Sequence, residues 1–480
     1  MPPTSPEPPA TPPERLFAAV VGGGMAGLAT AFWLARRGPE RPVALFERSE
    51  RLGGVVRTER TADGFVVEGG PDSLLTEKRA IVRLVEALEL QDEIVSTRAE
   101  HRGAYVLHGG RLHPVPEGFA LLAPGSWRGL ARSGLLSWRG KLRAGLDLVL
   151  PRGPARADES LASFVRRRFG EEVLWRLAAP LAGGIYGSDP ERLSLAATMP
   201  RFLELERRHR SVMLGLARAR ATRTGASRPE RTAIRYGMFA SFARGLQRLP
   251  ERLAERLGPQ RCFTGRGVDR IEPDEQGWRL GLSDGTEVRA EHLVLALPAP
   301  EAARLLAPLD RELQGALAAI PHGSATVVTV GLEASSLGRP LDAFGFVVPP
   351  GEGLPVLAST WSSVKWPARA PEGSVLLRVF FGGPRGEAAV DWPEERLRDE
   401  TLGLLERLLG LRGTPELWRI ARHRGRMPRY EVGHLQRVEH IEALAARHRG
   451  LHLVGNALRG VGIPDLCAQA ETLAERLLPD

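Results

Sequence analysis

The stretch FAAVVGGGMAGLATAFWLARRG, residues 17–38, has the order strand, tight turn and helix. The apolar run 17–21 has the length of a strand, and a longer helix-forming segment follows the turn. Within the turn, Gly22, Gly24 and Gly27 fit the pattern G-x-G-x-x-G. In such a turn the first glycine permits the sharp bend, the second lets the backbone approach a pyrophosphate, and the third lets the helix pack against the strand. The stretch therefore predicts a dinucleotide-binding fold.

The next segment contains the acidic residue that such a fold uses. PVALFE, residues 42–47, reads as a second strand and ends in Glu47, which follows Gly27 by twenty positions. A carboxylate at this place accepts hydrogen bonds from ribose hydroxyls, while free N–H groups at the helix N-terminus face the phosphates. The first group of predicted cofactor-binding residues is therefore Gly22, Gly23, Gly24, Met25, Ala26, Gly27, Glu47 and Arg48.

A second glycine-rich region distinguishes between the possible dinucleotides. ERSERLGGVVRTERTADGFVVEGGPDS, residues 47–73, contains a glycine pair, a short hairpin and a further glycine turn. A plain NAD-binding fold usually continues into another helix, so these extra turns favour FAD. Arg51 either helps to neutralise phosphate or forms an ion pair with Glu50 or Glu59.

The end of the chain predicts the other side of the cofactor site. GNALRGVGIPD, residues 455–465, follows a short apolar strand and precedes a helical pattern. Gly460 and Gly462 allow close backbone contact, and Pro464 with Asp465 suits the first turn of a helix. Because a flavin is too long for one βαβ unit to enclose, we expect this loop to complete near the ring a site that begins at residue 22.

Composition excludes several other classes of protein. The chain has 480 residues, of which 43% are hydrophobic and 26% charged, and its net charge is +9. Nearly all basic residues are scattered arginines, so we predict no nucleic-acid partner; one local excess, residues 207–235, could face anionic headgroups. Two cysteines without a C-x-x-C pair, and no H-E-x-x-H, predict no metal site. The Pro-rich leader 1–15 is not a signal peptide. No apolar run reaches the roughly 18 residues that a membrane span needs. We therefore expect a cytoplasmic protein that is at most peripheral on the inner face of the cell membrane.

Seven segments together resemble one enzyme family. The sequence is similar to the oxygen-dependent protoporphyrinogen oxidases of haem synthesis, with which coproporphyrinogen III oxidases are grouped, within the flavin amine-oxidase superfamily. The resemblance covers the chain from about residue 17 to its end. The segments are VVGGGMAGLATAFWL, ERSERLGG, EGGPDS, GGIYGSDPERLSL (183–195), LQRLPERL (246–253), PRYEVGHLQRV (428–438) and GNALRGVGIPD.

The resemblance implies an α/β fold, α+β overall, with three domains. A discontinuous Rossmann-type FAD-binding domain would comprise residues 16–100, 236–298 and 451–480. A substrate domain with a mixed or antiparallel sheet would comprise 101–118 and 299–450. Residues 119–235 would form a helical domain, which is the usual membrane-associating part of the family.

The resemblance also implies the site residues. For the substrate, Arg102 matches an arginine that contacts a propionate, with Arg98 as the alternative if the register differs, and Gly184 matches a glycine beside the substrate. Phe344, Val347 and Phe380 match pocket-lining positions, although sheet core explains them equally well. The further cofactor-binding positions are Arg51, Gly53, Gly54, Val55, Gly70, Pro71, Asp72, Ser73, Val268, Gly455, Val461, Gly462 and Ile463.

The implied reaction is the six-electron dehydrogenation of protoporphyrinogen IX to protoporphyrin IX, with dioxygen as acceptor and hydrogen peroxide as by-product. The first alternative is a coproporphyrinogen III oxidase. An amine oxidase would need a lysine near the flavin, for which Lys365 is the only candidate, and a flavin-bound protein without turnover is a further alternative. We assign no catalytic residue, because no paired carboxylates or His–Asp set stand out, and we expect a monomer or homodimer that passes its product to a chelatase.

Three positions depart from the family pattern. Ala243-Arg244-Gly245 stands where the family usually has two glycines, His423 where it often has an aromatic residue, and Arg429 where it has glutamine. These changes predict extra basic groups near the flavin or the substrate.

Overall fold

The computed structural model describes residues 11–101, 103–153, 158–225 and 238–479. Arg102, most of the leader and the last part of the arginine-rich stretch lie outside the described residues. The longer α-helices are Met25–Arg37, Arg79–Ala87, Trp138–Gly145, Leu161–Phe169, Ala179–Tyr186, Pro200–His209, Val212–Gly225, Arg248–Leu257, Ala299–Leu306, Arg311–Ala318, Glu394–Leu409, His434–Ala445 and Ile463–Leu477. The shorter ones are Trp127–Arg132, Glu171–Val173, Leu195–Thr198, Ser362–Lys365 and Gly383–Gly386.

In the described part of the chain, the strands form two large sheets and three small ones. Their bounds are β1 Arg15–Val21, β2 Val43–Phe46, β3 Thr58–Arg60, β4 Val66–Glu68, β5 Leu74–Leu75, β6 Ile94–Ser96, β7 Tyr105–His108, β8 Arg111–Pro114, β9 Phe119–Ala120, β10 Ala123–Pro124, β11 Phe239–Phe242, β12 Cys262–Phe263, β13 Val268–Asp274, β14 Gly277–Leu282, β15 Glu287–Leu295, β16 His322–Glu333, β17 Gly345–Val347, β18 Val356–Trp361, β19 Ser374–Phe381, β20 Leu417–Pro428 and β21 Leu451–Leu453.

The first large sheet has a parallel centre in the order β12-β2-β1-β15-β21. Strands β14 and β13 continue it in antiparallel fashion beside the first half of β15. Helices cover both faces of the parallel strands, which is why β1 is apolar throughout after Arg15. The first helix and the last helix, Ile463–Leu477, pack on one face. Three separate stretches of chain thus build this sheet, and their loops leave from the same carboxyl edge.

The second large sheet has the order β20-β16-β19-β18-β17-β7-β8, and its strand pairs are antiparallel except for β17 with β7. Leu377, Val379 and Phe381 pack with helix Glu394–Leu409 on its outer face. Since side chains alternate along a strand, Arg378 and Phe380 lie on the opposite face, here called the inner face. Together with the parallel-centred first sheet, this mixed architecture confirms the predicted fold class.

A group of helices between residues 127 and 225 has its own core. The inner face of the second sheet meets this core at Val106 and Val347. A buried ion pair stabilises the group, since Arg168 Nε donates to Asp147 Oδ1 at 2.6 Å. Among the described residues, no helix has both the length and the apolarity needed to cross a lipid bilayer.

Candidate functional site

Two glycine-rich turns meet at the carboxyl edge of the parallel strands. Gly53 donates its N–H to the oxygen of Gly23 at 2.8 Å, and Gly24 and Gly53 form an isolated parallel bridge. A Cβ at Gly54 would lie only 3.2 Å from the Cα of Gly24. The contact joins main chains, so a side chain at Gly54 would push the turns apart.

The three glycines of the first turn have different surroundings. A Cβ at Gly22 would lie 2.5 Å from the oxygen of Ala296, and one at Gly27 would lie 1.9 Å from the oxygen of Gly22. A Cβ at Gly24 would meet nothing within 4 Å. The first and third glycines are therefore required by the fold itself, whereas the second borders open space that a ligand can fill.

The first helix begins at this open space without a cap of its own. Its N-cap residue, Gly24, contributes no side-chain hydrogen bond, and its first turn contains no acidic residue. The last helix differs, because Gly462 donates its N–H to Asp465 Oδ2 at 3.3 Å. Uncapped N–H groups at a helix start need an acceptor, and a phosphate beside them is favoured by the helix dipole. The residues present thus fit a pyrophosphate.

Glu47 is held firmly at the end of β2. Its Oε2 accepts from the N–H of Gly23 at 2.7 Å, and its Oε1 accepts from the N–H and the hydroxyl of Ser49 at 2.9 and 2.7 Å. The main chain of Glu47 pairs with Phe263 and Arg266. The segment that leads to Val268 therefore lies beside Glu47, which fits the ribose and adenine end of a dinucleotide.

The neighbouring arginines make contacts within the protein. Arg48 forms an exposed ion pair with Asp269 at 2.5 Å. Arg51 donates from Nη1 to the oxygens of Leu52 and Val56, both at 2.9 Å, and from Nη2 to the oxygen of Gly54. Arg51 therefore holds the second glycine turn together.

Neither proposed role of Arg51 is visible in these contacts. Its guanidinium pairs with main-chain oxygens, and Glu59 pairs instead with Arg419 at 2.7 Å. The ion pair with Glu50 or Glu59 that the sequence allowed is thus replaced by main-chain hydrogen bonds. The phosphate contact stays a prediction.

The loop that contains Gly70, Pro71, Asp72 and Ser73 packs against the second glycine turn. A Cβ at Gly70 would lie 2.0 Å from the oxygen of Val55. Two side chains from the second sheet hold this loop from the other side. His423 Nε2 lies 2.7 Å from the oxygen of Gly69, and Arg378 donates to the oxygen of Gly70.

A cluster of buried charges surrounds Asp72. Lys365 Nζ donates to Asp72 Oδ1 and Oδ2 at 3.0 and 3.1 Å, and Arg378 Nη1 lies 3.7 Å from Oδ2. Burial alone would raise the pKa of Asp72, but Lys365 and Arg378 outweigh it and hold this pKa well below its usual range. The carboxylate is therefore ionised and fixes the loop to the second sheet.

Glu68 and Arg369 form a second buried pair in the same cluster, with 3.7 Å between Glu68 Oε1 and Arg369 Nη2. Burial raises the pKa of Glu68, against the opposing effects of Thr58 and Arg369. Among the described residues, the Nε atoms of Arg369 and Arg378 have no hydrogen-bond partner. The five residues Glu68, Asp72, Lys365, Arg369 and Arg378 are hereafter called the charge cluster.

The loop 455–462 lies at the same edge as the glycine turns, with β15 between β1 and β21. The first and last helices pack together, so the helix starts at Gly24 and Gly462 share one side of the sheet. Lys78 contacts Asp465 in the first turn of the last helix. Gly455, Val461, Gly462 and Ile463 are thus close enough in the fold to form one site with the front end.

Two of the predicted substrate residues lie on the inner face of the second sheet. Val347 pairs with Ala358, which pairs with Phe380, so the three share that face. The Arg378 guanidinium lies 4.9 Å from the centre of the Phe380 ring. A Cβ at Gly184 would lie 3.8 Å from Val347 Cγ1. The structure thus brings Gly184 and Val347 together from different parts of the chain.

Of the remaining predicted substrate residues, the structure describes only Phe344, which lies near the start of β17. Phe344 precedes that strand and donates its N–H to the oxygen of Gly103 at 3.0 Å. Arg102 itself lies outside the described residues. Arg98 donates its N–H to the oxygen of Lys365 at 3.1 Å and lines a cleft formed with residues 368–375. The two candidate arginines therefore remain alternatives.

Two of the three departures from the family pattern, His423 and Arg429, add less charge than expected. Burial lowers the pKa of His423, and the Gly69 carbonyl offsets this only in part. Arg429 pairs with Glu387. Gly245 has a φ of +97° and packs on Thr58, so the glycine retained there is the one that the turn requires.

Sequence analysis did not find the role of Arg378, nor the pairing of Lys365 with Asp72. One signal was present: Arg378 interrupts the apolar strand SVLLRVFF, where a charge needs a buried partner. Lys365 also donates to Ser73 Oγ at 3.3 Å, so its contacts with this loop occupy the ammonium.

Comparisons with known proteins agree with this geometry. The family model for flavin containing amine oxidoreductases matches residues 25–478. The coproporphyrinogen III oxidase of Bacillus subtilis (strain 168) is 34% identical over 94% of this chain and 96% of its own. The protoporphyrinogen oxidase of Bos taurus is 31% identical over 96% and 98%. A crystal structure from Exiguobacterium sp. 255-15, provisionally assigned as a protoporphyrinogen oxidase, has a TM-score of 0.84 at 31% identity and covers 97% of this chain and 98% of its own.

Proposed function

The chain belongs to the flavin containing amine oxidoreductase family, among its protoporphyrinogen and coproporphyrinogen III oxidases, and on this premise we propose that it oxidises protoporphyrinogen IX to protoporphyrin IX. It is an FAD-dependent oxidoreductase, which confirms the predicted enzyme class and cofactor. The observation that carries the proposal is the similarity, over nearly the whole length, to enzymes named for porphyrinogen oxidation.

The residues at the carboxyl edge would hold the cofactor. The turn at Gly22–Gly27 and the start of the first helix would face the pyrophosphate, Glu47 would accept from a ribose hydroxyl, and the loops 69–73 and 455–462 would enclose the ring. The redox chemistry is that of bound FAD, a two-electron acceptor that dioxygen reoxidises. Oxidation of a porphyrinogen removes six hydrogens, so we expect three hydrogen peroxide molecules for each porphyrin.

The protein's own part is to bind the macrocycle and exclude water. Phe380, Val347 and Gly184 offer an apolar surface, and Arg102 would pair with a propionate, because a guanidinium matches a carboxylate. Asp72 is already ionised and paired with Lys365, and His423 Nε2 is engaged with Gly69. We propose no base: Lys365 holds Asp72 as the ionised carboxylate, and no proton transfer is assigned to His423.

The experiment compares two substrates under air. Purified holoenzyme is given protoporphyrinogen IX or coproporphyrinogen III, and porphyrin fluorescence and hydrogen peroxide are followed. We expect faster turnover of protoporphyrinogen IX, with peroxide and porphyrin in the ratio three to one. In the same assay Arg102→Ala should raise KM about tenfold and Arg98→Ala should not, since one charged hydrogen-bonded pair is lost. Yellow protein that oxidises neither substrate would contradict the proposal and favour a binding protein.

The second candidate is oxidation of coproporphyrinogen III to coproporphyrin III. The bacterial relatives of this chain favour it, since coproporphyrinogen III oxidases are among the most similar of them. Such a substrate carries four propionates instead of two and needs more cationic contacts. A clear preference for coproporphyrinogen III in the same assay would select this candidate.

We also propose that the enzyme touches a membrane through its helical part. Trp127, Trp138, Leu142 and Val149 expose 49%, 74%, 66% and 65% of their surface. Arg128 and Arg139, which are exposed in the same helices as the two tryptophans, add positive charge beside the apolar surface. Aromatic and basic side chains of this kind favour the interface of anionic lipids.

Vesicle sedimentation tests the membrane contact. We expect binding to vesicles with anionic lipid, and loss of it when Trp138→Glu and Leu142→Glu are combined. Met238 and Val432 are exposed elsewhere, so Met238→Glu with Val432→Glu is the matched control. Equal sedimentation of the wild type and both variants would contradict the contact. We propose that the enzyme is a monomer or homodimer at the cytoplasmic face of the membrane. From there it would pass its porphyrin product to a chelatase.

A further inference from the structure

A single tyrosine hydroxyl connects the two ends of the turn in loop 455–462. Tyr430 donates to the oxygen of Asn456 at 2.6 Å, and Gly460 donates its N–H to the Tyr430 hydroxyl at 2.8 Å. Asn456 and Gly460 are four residues apart, the spacing at which a helix would pair an oxygen directly with an N–H. Here the hydroxyl takes the place of that direct bond and keeps the turn open.

The loop has little internal support. Its one internal main-chain bond near this turn is a long one, from the N–H of Leu458 to the oxygen of Gly455 at 3.3 Å. Gly460 has a φ of +113°, and a Cβ there would lie 2.3 Å from Asp465 Cγ. The conformation of the loop therefore depends on side chains that reach it from outside.

The position of Tyr430 is itself fixed. Its side chain is 2% exposed, and its ring stacks on His434 with centroids 3.8 Å apart. The main-chain oxygen of Tyr430 accepts from the N–H of Ser194 at 2.7 Å, which joins this segment to the helical part of the molecule. His434 in turn lies 2.9 Å from the oxygen of Leu458. Tyr430 and His434 thus hold the loop from one side as a unit.

We propose that Tyr430 is a positioning residue that holds loop 455–462, and with it the start of the last helix, in the conformation that receives FAD. The inference rests on the proposed function only in taking FAD as the ligand of this edge. It adds a role for the PRY segment, whose tyrosine is distant from the glycine turns in sequence. The hydroxyl acts through the loop and need not touch the cofactor.

Tyr430→Phe removes the hydroxyl and keeps the ring. FAD affinity of the apoprotein is measured by titration with FAD fluorescence, and the visible circular dichroism of the bound flavin reports its surroundings. We expect the affinity to fall about tenfold, because one donor and one acceptor are lost, and the dichroism to change. Tyr105→Phe is the matched control, since its hydroxyl is also hydrogen-bonded, to Asp342 at 2.9 Å, but in the second sheet.

The outcomes separate the two claims. Wild-type apoprotein that takes up no FAD would contradict the proposed function. A wild type that binds FAD, with Tyr430→Phe within twofold of it in affinity and identical in dichroism, would overturn the role of Tyr430 alone. If Tyr430→Phe does not fold, hydrogen exchange of the wild-type protein tests the same contact, since the N–H of Gly460 donates to the Tyr430 hydroxyl. A Gly460 N–H that exchanges as fast as an exposed amide would equally overturn the proposal.

Discussion

The glycine turns and the charge cluster, two adjoining regions of the site, are built in opposite ways. The turns at Gly24 and Gly53 touch through main-chain atoms and leave space for a ligand. The charge cluster fills its space with long side chains, and Arg378 in it is 1% exposed. The turns depend on the absence of side chains, whereas the cluster depends on the pairing of charges.

The difference determines how each region responds to change. In the turns a single methyl group added at a closely packed glycine lowers the stability of the fold, because a backbone oxygen cannot move aside as a flexible side chain can. In the cluster shape matters less than charge, because an ion left unpaired in a buried site is costly. Variants of the two regions therefore test two different physical requirements.

The largest effect is expected from Gly27→Ala. The new Cβ would lie 1.9 Å from the Gly22 oxygen, so the first helix must shift and stability should fall by about 3 kcal/mol. Gly24→Ala is the control, because its Cβ meets no protein atom within 4 Å. It should leave the unfolding free energy of the apoprotein within about 0.5 kcal/mol yet weaken FAD binding at least about tenfold. Urea unfolding and FAD titration measure both, and unimpaired FAD binding in Gly24→Ala would refute the placement of the pyrophosphate.

Asp72→Asn should be the next most damaging change. It leaves Lys365 and Arg378 buried without their carboxylate, which we expect to cost about 3–5 kcal/mol in the free energy of unfolding. Combining it with Lys365→Met removes the orphaned ammonium and should recover part of the loss. Urea unfolding of the single and double variants measures this. A double variant less stable than Asp72→Asn alone would show that charge pairing is not what holds the loop.

The pH dependence distinguishes Asp72 from Glu68. Because its folded pKa is depressed, Asp72 stabilises the protein above its unfolded pKa of about 3.9, and this is lost as pH falls toward the folded pKa. The folded pKa of Glu68 is raised, so this residue acts in the opposite sense. Its favourable contribution to the free energy of unfolding is lost as pH rises above about 4.3. Relative to wild type, Asp72→Asn should be most destabilised near neutral pH, where Glu68→Gln should be neutral or stabilising. Urea unfolding between about pH 2 and 8 checks this, and parallel pH profiles would contradict it.

The contrast also explains what sequence could predict. Gly22, Gly24, Gly27 and Glu47 act within one βαβ unit, where spacing along the chain fixes spacing in space. The pairing of Asp72 with Lys365 depends on the packing of two parts of the chain that are distant in sequence. No local sequence pattern predicts which lysine will lie beside Asp72. The joining of the front and rear loops was predicted because a long cofactor demands it, whereas the hydrogen bonds of Tyr430 to that rear loop were not.

Glu47→Gln should have the smallest effect of these changes, although Glu47 is part of the motif. A carboxylate offers about four lone pairs, and three hydrogen bonds from Gly23 and Ser49 already use it. About one lone pair then remains for a ribose hydroxyl, so FAD affinity should fall only about fivefold, near 1 kcal/mol. Ser49→Ala, which releases acceptor capacity on Glu47 without changing its charge, should leave FAD affinity within about twofold. FAD titration of each apoprotein variant measures both affinities. A loss of FAD affinity beyond about a hundredfold in Glu47→Gln would mean that the negative charge at this strand end, and not only hydrogen bonding, binds the cofactor. The glycine turns would then depend on charge as the charge cluster does.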